Sequence, residues 1–342
     1  MRPCSRLRDR LRHRFRCRQH LLGWLGLPAA LVLAAGCNPF LPTLTVPVGQ
    51  WPGYEFFPLA RARDLDRPQG LKINTLPFAN PQDIVHAYLR GDVQIAQLTT
   101  IEAVDLCKRV PKRCPVVVLV LDESRGGDQV LVHRSIPSIA GLRGKPVGIT
   151  PTTLGPYVLS RALSRHGLSL ADVDLRPMPL ETMPRAFADG DVVAGALYPP
   201  FSDEAQRLAP VRPLFTSREI PGEIFDVLVV DPAILSTKRD LLVKLLRSWQ
   251  AAQDELRRNP QGAIALMAQR EGVPEPDFRA SLNGLVFFNL DRQLPMFRPG
   301  GVLETNLREL RRVQAQLGLM PPTGPLPPVD GALITAALKA PN

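Results

Sequence analysis

A strand-and-helix unit that occurs twice constrains the fold of this chain more than any other feature. Residues 87–93 read AYLRGDV, and residues 186–192, 99 positions later, read AFADGDV. Each copy continues through an apolar stretch to an unusual segment, Thr99-Thr100 in the first and Tyr198-Pro199-Pro200 in the second. Chance is the alternative, because Gly-Asp turns are common. The shared order of helix, turn, strand and loop favours a duplicated α/β unit.

Hydrophobic patterning extends this unit over most of the chain and predicts an α/β fold with buried parallel strands. Strands are predicted at residues 44–49, 71–76, 93–98, 116–121, 130–133, 146–149, 175–178, 193–197 and 226–230. Helices are predicted between them, one of them capped by Asn80. The chain beyond residue 230 is mostly helical, with helices at 239–258, 261–270, 277–283 and 302–317, and a Pro-rich tail from 321 to 342.

The first 37 residues have the pattern of an export signal. Residues 1–20 carry eight Arg against one acid, and residues 21–35 are apolar but too short to span a membrane comfortably. Residues 33–37 read LAAGC, which resembles the lipobox of bacterial lipoproteins. We therefore expect a signal peptide over residues 1–36, a lipid anchor on Cys37 and a tether over residues 37–43. An ordinary signal peptide with a chance Cys is the alternative.

The positive charge of the chain comes largely from this leader. Removing its eight Arg and one Asp lowers the formal net charge from +10 to +3. A weakly positive mature chain gives no reason to expect a nucleic-acid partner.

The cysteines and histidines predict no metal or cofactor site. Only His86, His133 and His166 follow the leader, and their spacing is not that of metal ligands. Cys107 and Cys114 bracket a short turn, in an oxidising compartment. Either a structural disulfide or two buried thiols fits this pair.

Four loops follow strand ends at equivalent places in the two halves: residues 50–54, 98–101, 150–155 and 197–201. Open α/β sheets bind ligands beyond the carboxyl ends of their strands. Two such lobes facing each other would form a cleft, into which helix N-termini direct free N–H groups. We therefore expect ligand capture between lobes.

Several segments of the chain resemble the nitrate, taurine and aliphatic-sulfonate group of solute-binding proteins, which includes pyrimidine binders for thiamine synthesis. The segments are 48–55 (VGQWPGYE), 91–96 (GDVQIA), 121–124 (LDES), 142–149 (LRGKPVGI), 194–200 and 257–267. The resemblance covers about residues 44–318 and implies a type II periplasmic-binding-protein fold with two Rossmann-like lobes. It also implies hinge crossings near 121–127 and 215–226, and an ABC permease and ATPase as partners.

These hinges give a domain prediction. Residues 44–121 and 219–320 would form the first lobe, and residues 122–218 the second. We expect a monomer held at the periplasmic face of a bacterial membrane.

The candidate ligand contacts come from the loops and the first hinge. Trp51 offers an apolar wall and Tyr54 a hydroxyl, although both could simply pack the first helix onto its sheet. Ser124 and Asp128 flank the hinge, where Asp128 could bind a cationic or N–H-bearing group or hold the turn. Tyr198 faces the cleft if the repeat is real.

Threonines precede the predicted helices on both sides of the cleft. Thr99, Thr100, Thr152 and Thr153 could contact the ligand, cap the helices, or do both. Gly155 would let the ligand approach the backbone.

Loop chemistry favours a small sulfonate-like anion as the ligand, because helix N-termini and hydroxyls suit one. The four loops contain no Arg, which counts against a tightly held bare anion. A neutral heteroaromatic or apolar molecule is the alternative ligand. A ligand-sensing lipoprotein is a second possible role. An enzyme making a thiamine or menaquinone precursor is less well supported, because no catalytic constellation is evident.

Overall fold

The computed structural model of this protein describes residues 41–79 and 81–339, and these described residues form one compact unit. The predicted signal peptide, the lipid-anchored Cys37, most of the tether and the Asn80 cap lie outside the described residues.

Eleven strands occur in the described ranges, all within 2 or 3 residues of predicted positions except two. They are β1 Thr43–Val48, β2 Lys72–Pro77, β3 Ile95–Thr99, β4 Val116–Ser124, β5 Gln129–His133, β6 Pro146–Ile149, β7 Asp174–Pro177, β8 Ala194–Leu197, β9 Val211–Thr216, β10 Phe225–Val230 and β11 Leu285–Val286. Strands β9 and β11 were not predicted.

Helices fill the connections and the C-terminal third. They are α1 Phe56–Ala62, α2 Pro81–Arg90, α3 Thr100–Arg109, α4 Leu154–Ser164, α5 Met183–Asp189, α6 Phe201–Leu208, α7 Pro232–Thr237, α8 Arg239–Arg258, α9 Pro260–Glu271, α10 Glu275–Leu282, α11 Leu290–Gln293, α12 Val302–Gln316 and α13 Ala332–Leu338. Within the described ranges, no helix combines the length and the apolar character that crossing a membrane requires.

The first lobe contains β1 paired in parallel with β2, and a four-stranded sheet in the order β11-β4-β10-β3. Strand β1 lies against β3, where the Gln97 side-chain amide donates to the Pro47 carbonyl oxygen at 3.0 Å. Helices α1, α8 and α9 cover these strands, and Trp249 of α8 is fully buried among them.

The second lobe contains a five-stranded sheet in the order β7-β6-β8-β5-β9. Strand β6 pairs in parallel with both β7 and β8, whereas β5 pairs antiparallel with β8 and β9. The first lobe has the same plan, because β10 runs antiparallel to β3 and β4. The predicted parallel strands are therefore joined by antiparallel ones: in each lobe, one strand that arrives from the other lobe runs against its neighbours.

The repeat in the sequence is a repeat in the structure. Ile95, which begins β3, lies 99 positions before Ala194, which begins β8, and helices α3 and α6 follow these strands. The chain passes between the two sheets at residues 125–128 and again at residues 217–224.

The C-terminal segment differs from the predicted tail. Val329 forms a parallel bridge with Val117 of β4, and α13 buries Leu333 and Ile334 in the core of the first lobe. Prolines between residues 321 and 328 hid this short apolar helix from the hydrophobic pattern. The segment therefore belongs to the first lobe, because its apolar face is buried in the core of that lobe.

A disulfide joins Cys107, near the end of α3, to Cys114, just before β4. The sequence allowed either a structural disulfide or two buried thiols, and the structure has the disulfide. The bond lies outside the cleft and closes a turn with one 3-10 helix, Pro111–Arg113.

Candidate functional site

The segments that follow β1, β3, β6 and β8 meet in a cleft between the lobes, as the repeat predicts. Two cavities of about 20 and about 30 Å³ lie in this cleft, each with room for only one or two water molecules. Glu102, Asp128, Leu154 and Tyr198 line both cavities. The lobes are therefore closed upon each other, and any solute larger than water requires them to separate.

We define the first-lobe wall of the cleft as the six residues of this lobe that line the larger of these cavities by their polar or aromatic side chains. They are Trp51, Tyr54, Gln97, Thr99, Glu102 and Asp226. The second-lobe wall consists of Thr150, Thr152, Leu154, Gly155, Leu180 and Tyr198. Asp128 lies on the crossing segment between the two walls.

An aromatic contact joins the two walls. The rings of Trp51 and Tyr198 meet edge to face, with centroids 5.4 Å apart. Trp51 also leaves no room beside the crossing segment, because a Cβ on Gly127 would lie 2.5 Å from the end of the indole ring. Gly127 therefore permits the closed arrangement at this crossing.

Two buried carboxyl groups anchor the aromatic side chains of the first-lobe wall. The Tyr54 hydroxyl donates to Asp226 at 2.6 Å, and the Trp51 indole N–H donates to Asp122 at 3.2 Å. Asp122 and Asp226 are cross-strand neighbours on β4 and β10. Gly53 allows this arrangement, because a Cβ there would overlap the Asp122 carboxyl group.

These carboxyl groups hold their protons strongly. Burial raises the pKa of Asp122 to about 8. Burial, followed by the nearby charge of Asp122, raises the pKa of Asp226 well above its ordinary value. Like charges on cross-strand neighbours repel, so the pair favours a shared proton over two ionised groups.

Two further acids complete the cluster. Burial raises the pKa of Asp128 to about 7, and burial also raises the pKa of Glu102. Glu102 sits at the N-terminus of α3 in a capping box: the Thr99 N–H and hydroxyl both donate to it at 2.9 Å, and its own N–H donates back at 3.2 Å. Thr99 is thus a helix cap as well as a cavity-lining residue.

The second-lobe wall is built from hydroxyl and apolar groups. Thr150 and Thr152 hydrogen-bond to each other at 3.0 Å. Gly155 begins α4 so close to Thr150 that a Cβ would lie 2.6 Å from the hydroxyl oxygen. No side chain caps α4, so its first amide groups are not engaged as those of α3 are.

Seven of the ten predicted ligand-contacting residues line the two cavities: Trp51, Tyr54, Thr99, Asp128, Thr152, Gly155 and Tyr198. Thr100 is fully buried beside the cleft. Ser124 supports the crossing, where it bonds to the Ser217 hydroxyl at 2.8 Å and accepts from the Asp128 N–H at 3.1 Å. Thr153 lines an adjoining cavity of about 140 Å³.

Sequence reasoning named Asp128 but missed the other three acids. Glu102 could have been found from the Thr-x-x-Glu pattern at 99–102, which is a capping-box signature. Asp122 and Asp226 each interrupt or end an apolar strand, and a charged residue there is a signal of a buried site. Asp128 was interpreted singly, as a turn residue or as a ligand-binding group, so the cluster of acids around it was not recognised.

The charge of the cleft is one-sided. No Lys, Arg or His of the described residues lines either central cavity. Arg109 and His86 line the adjoining cavity, and Arg109 is 3.5 Å from Asp105. No group of three or more metal-ligating side chains occurs in the described part of the chain.

Two duplicated α/β lobes closing on a cleft define a periplasmic-binding-protein fold. The chain belongs to the NMT1-like family, which matches it over residues 41–270. A Brucella abortus protein named, by prediction, as a binding protein is 22% identical over 214 residues. That match covers 62% of this chain and 66% of the relative, slightly less than two thirds of its length.

Solved structures with the same fold include both binding proteins and an enzyme. The periplasmic aliphatic sulphonate binding protein SsuA from Escherichia coli is 19% identical with a TM-score of 0.66, over 82% of this chain and 94% of that one. The desulfurization enzyme DSZB is 18% identical with a TM-score of 0.64, over 87% of this chain and 99% of that one. These similarities show a shared fold.

Proposed function

We propose that this protein captures a small organic solute by closing its two lobes over it, and delivers the solute to an ABC importer. The contact between Trp51 and Tyr198 carries the proposal, because it joins lobes that only two crossings connect. A solute held between these rings would replace their direct contact, and it would touch both lobes only when the lobes close on it. Solute therefore shifts the population toward the closed state.

The described residues up to 124, together with those from β10 to α13, would move as the first lobe, and residues 129–216 would move as the second. The motion would occur about the crossings at 125–128 and 217–224, where Gly126 has a φ of +123°. Such a conformation is easy for glycine and rare for other residues.

Replacement of Trp51 tests capture by closure. We expect Trp51→Ala to weaken binding of a solute found by thermal-shift screening by at least about tenfold, or ~1.4 kcal/mol. Trp51→Phe should lose less, because it keeps a ring against Tyr198 and loses only the N–H bond to Asp122. Calorimetry measures the affinity, and X-ray scattering measures whether solute makes the chain more compact. If a solute binds the Trp51→Ala variant as tightly as it binds the unaltered protein, this cleft is not the site of solute capture.

The proposed site of action is the periplasmic face of a bacterial membrane, with Cys37 carrying the lipid anchor and the permease and ATPase as partners. The export-type leader and the LAAGC sequence at 33–37 support the anchor. Cys37→Ser should release the protein from membranes in fractionation, whereas Cys107→Ser with Cys114→Ser should not. Retention of Cys37→Ser in the membrane fraction would contradict acylation.

A binding role without chemistry is the better supported reading, although DSZB shows that the fold also serves catalysis. Among the described residues that line the two central cavities there is no Cys, Ser or His, three of the common nucleophiles and bases. A bound solute should therefore be recovered unchanged after long incubation, as measured by mass spectrometry.

The buried carboxyl groups of the cleft count against the sulfonate-like anion that loop chemistry favoured. Four buried carboxyl groups lie at the cleft, and the adjoining Arg109 is near an acid of its own helix. An anion brought among them would be repelled by every group that ionises.

A further inference from the structure

The side-chain donors of the first-lobe wall are already engaged by carboxyl groups. Three contacts account for them: Tyr54 donates to Asp226 at 2.6 Å, Trp51 to Asp122 at 3.2 Å, and Thr99 to Glu102 at 2.9 Å. A solute that needs donors, as an anion does, finds none of these free.

An acceptor in the same wall remains without a donor. Gln97 is 2% exposed and lines the larger central cavity. Its amide nitrogen donates to the Pro47 carbonyl oxygen at 3.0 Å, which fixes the orientation of the amide. Its amide oxygen has no hydrogen-bond partner among the described residues. A buried acceptor of this kind is costly unless a donor reaches it.

The N-terminus of α3 is closed to an outside anion as well. Glu102 occupies it, accepting the Thr99 N–H and hydroxyl. A carboxylate of the chain thus holds the position where a helix N-terminus would otherwise receive a sulfonate or carboxylate.

The acids supply the complementary charge. Asp128 is 3% exposed and lines both central cavities, and Asp226 is 2% exposed and lines the larger. Ionised carboxylates in such a place need a nearby positive charge, and the lining residues provide none.

We infer that the solute carries a positively charged nitrogen with N–H donors, as a small organic ammonium or amidinium does. Asp128 and Asp226 accept from this nitrogen, as does the Gln97 amide oxygen, and the rings of Trp51 and Tyr198 enclose the remainder. This inference rests on the proposed solute-binding function and names the chemistry of its ligand.

Matched pairs of probes test the sign of the charge. Benzamidinium is compared with benzenesulfonate, and ethylammonium with ethanesulfonate, by calorimetry and thermal shift on the mature chain. We expect both cations to bind and to raise the melting temperature, and both sulfonates to do neither. Asp128→Asn should weaken cation binding by about tenfold or more. Asp189→Asn, on the exposed face of α5, should leave it unchanged.

The pH dependence gives a second readout. Cation affinity should rise between about pH 6 and pH 8, because the carboxyl groups must ionise to bind a cation, and binding should release protons. Sulfonate affinity would fall over the same range. The titratable groups that face the acids are Tyr54, Glu102, Asp122, Glu123, Asp128, Tyr198 and Asp226. If Asp128 has only a structural role, Asp128→Asn should lower cation affinity without altering its dependence on pH.

The outcomes separate the inference from the function beneath it. If a sulfonate binds in a Trp51-dependent way and Asp128→Asn strengthens it, the inference is wrong and solute capture stands. If no cation binds at either pH, the inference is also wrong. If bound solute never makes the chain more compact, the closure proposal fails regardless of the solute's charge.

Discussion

The two walls of the cleft come from equivalent positions in a duplicated unit, yet their chemistry is opposite. The first-lobe wall sets buried acids behind an indole and a phenol, and its α3 N-terminus is occupied by Glu102. The second-lobe wall offers threonine hydroxyls and an α4 N-terminus without a side-chain cap. The repeat therefore fixes where the walls lie, whereas the residues that differ between the copies decide which solute the walls suit.

The difference continues behind the walls. On the first-lobe side, Arg270 donates to the fully buried Glu55 at 2.6 Å and to the Gly49 carbonyl oxygen at 2.9 Å. Burial raises the pKa of Glu55 to about 7, although Arg270 opposes the rise. On the second-lobe side, Arg161 of α4 pairs at 2.7 Å with Glu223 of the 217–224 crossing, and about a quarter of each side chain remains exposed.

Loss of the Arg270–Glu55 pair in the first lobe should change the free energy of unfolding most. We expect Arg270→Met to lower the free energy of unfolding by about 3–5 kcal/mol, because Glu55 would remain buried without its partner. Arg161→Met should cost about 1 kcal/mol or less, because solvent reaches Glu223. Urea unfolding measures both. The double variant Glu55→Gln with Arg270→Met should regain part of the loss; equal losses in the two single variants would contradict the contrast between lobes.

An intermediate effect should come from the acids at the cleft. The pKa of Asp122 is raised in the fold to about 8, above an unfolded value of about 4. Its contribution is therefore fully present at low pH and is lost as pH rises through about 8. The Asp122→Asn variant should lack part of this loss. Its free energy of unfolding should therefore exceed that of the unaltered protein by about 1–2 kcal/mol between pH 5 and pH 8.

Asp172 in the second lobe provides a control for the direction of this pH effect on stability. Hydrogen bonds from Ser169 hold the pKa of the half-buried Asp172 below its ordinary value. Asp172→Asn should therefore remove a contribution that is present at neutral pH and lost in acid, the reverse of Asp122. Melting temperature against pH distinguishes the two, and parallel curves for both variants would show that burial does not set the behaviour of Asp122.

The smallest expected effect lies in the second-lobe wall. Thr152→Val removes the 3.0 Å bond between Thr150 and Thr152 and should cost about 0.5–1 kcal/mol of stability. It should also change cation affinity less than Asp128→Asn does, if the first-lobe wall and the crossing set the ligand. A larger loss of affinity from Thr152→Val would move the centre of recognition to the second lobe.

Element positions were predictable where apolar patterning was uninterrupted. Strand β4 is buried along its whole length and was found from its valine-rich run. Strand β9 was missed because Pro213 interrupts it, and the structure tolerates this proline in an edge strand at an irregularity in the pairing with β5. The strand-end rule found six cavity-lining residues and the predicted hinge gave a seventh, Asp128, but neither could find Gln97 or Asp226, which lie inside strands.

Local periodicity and turn chemistry act over a few residues, so the amino-acid order was enough to predict the duplicated α/β plan and the four segments that meet at the cleft. The charge of the cleft depends instead on contacts between distant parts of the chain. Asp122 and Asp226 are 104 positions apart, and antiparallel pairing of β4 with β10 makes them neighbours. Burial then gives these acids raised pKa values. Desolvation depends on what surrounds a side chain in space, so composition alone carries no record of it.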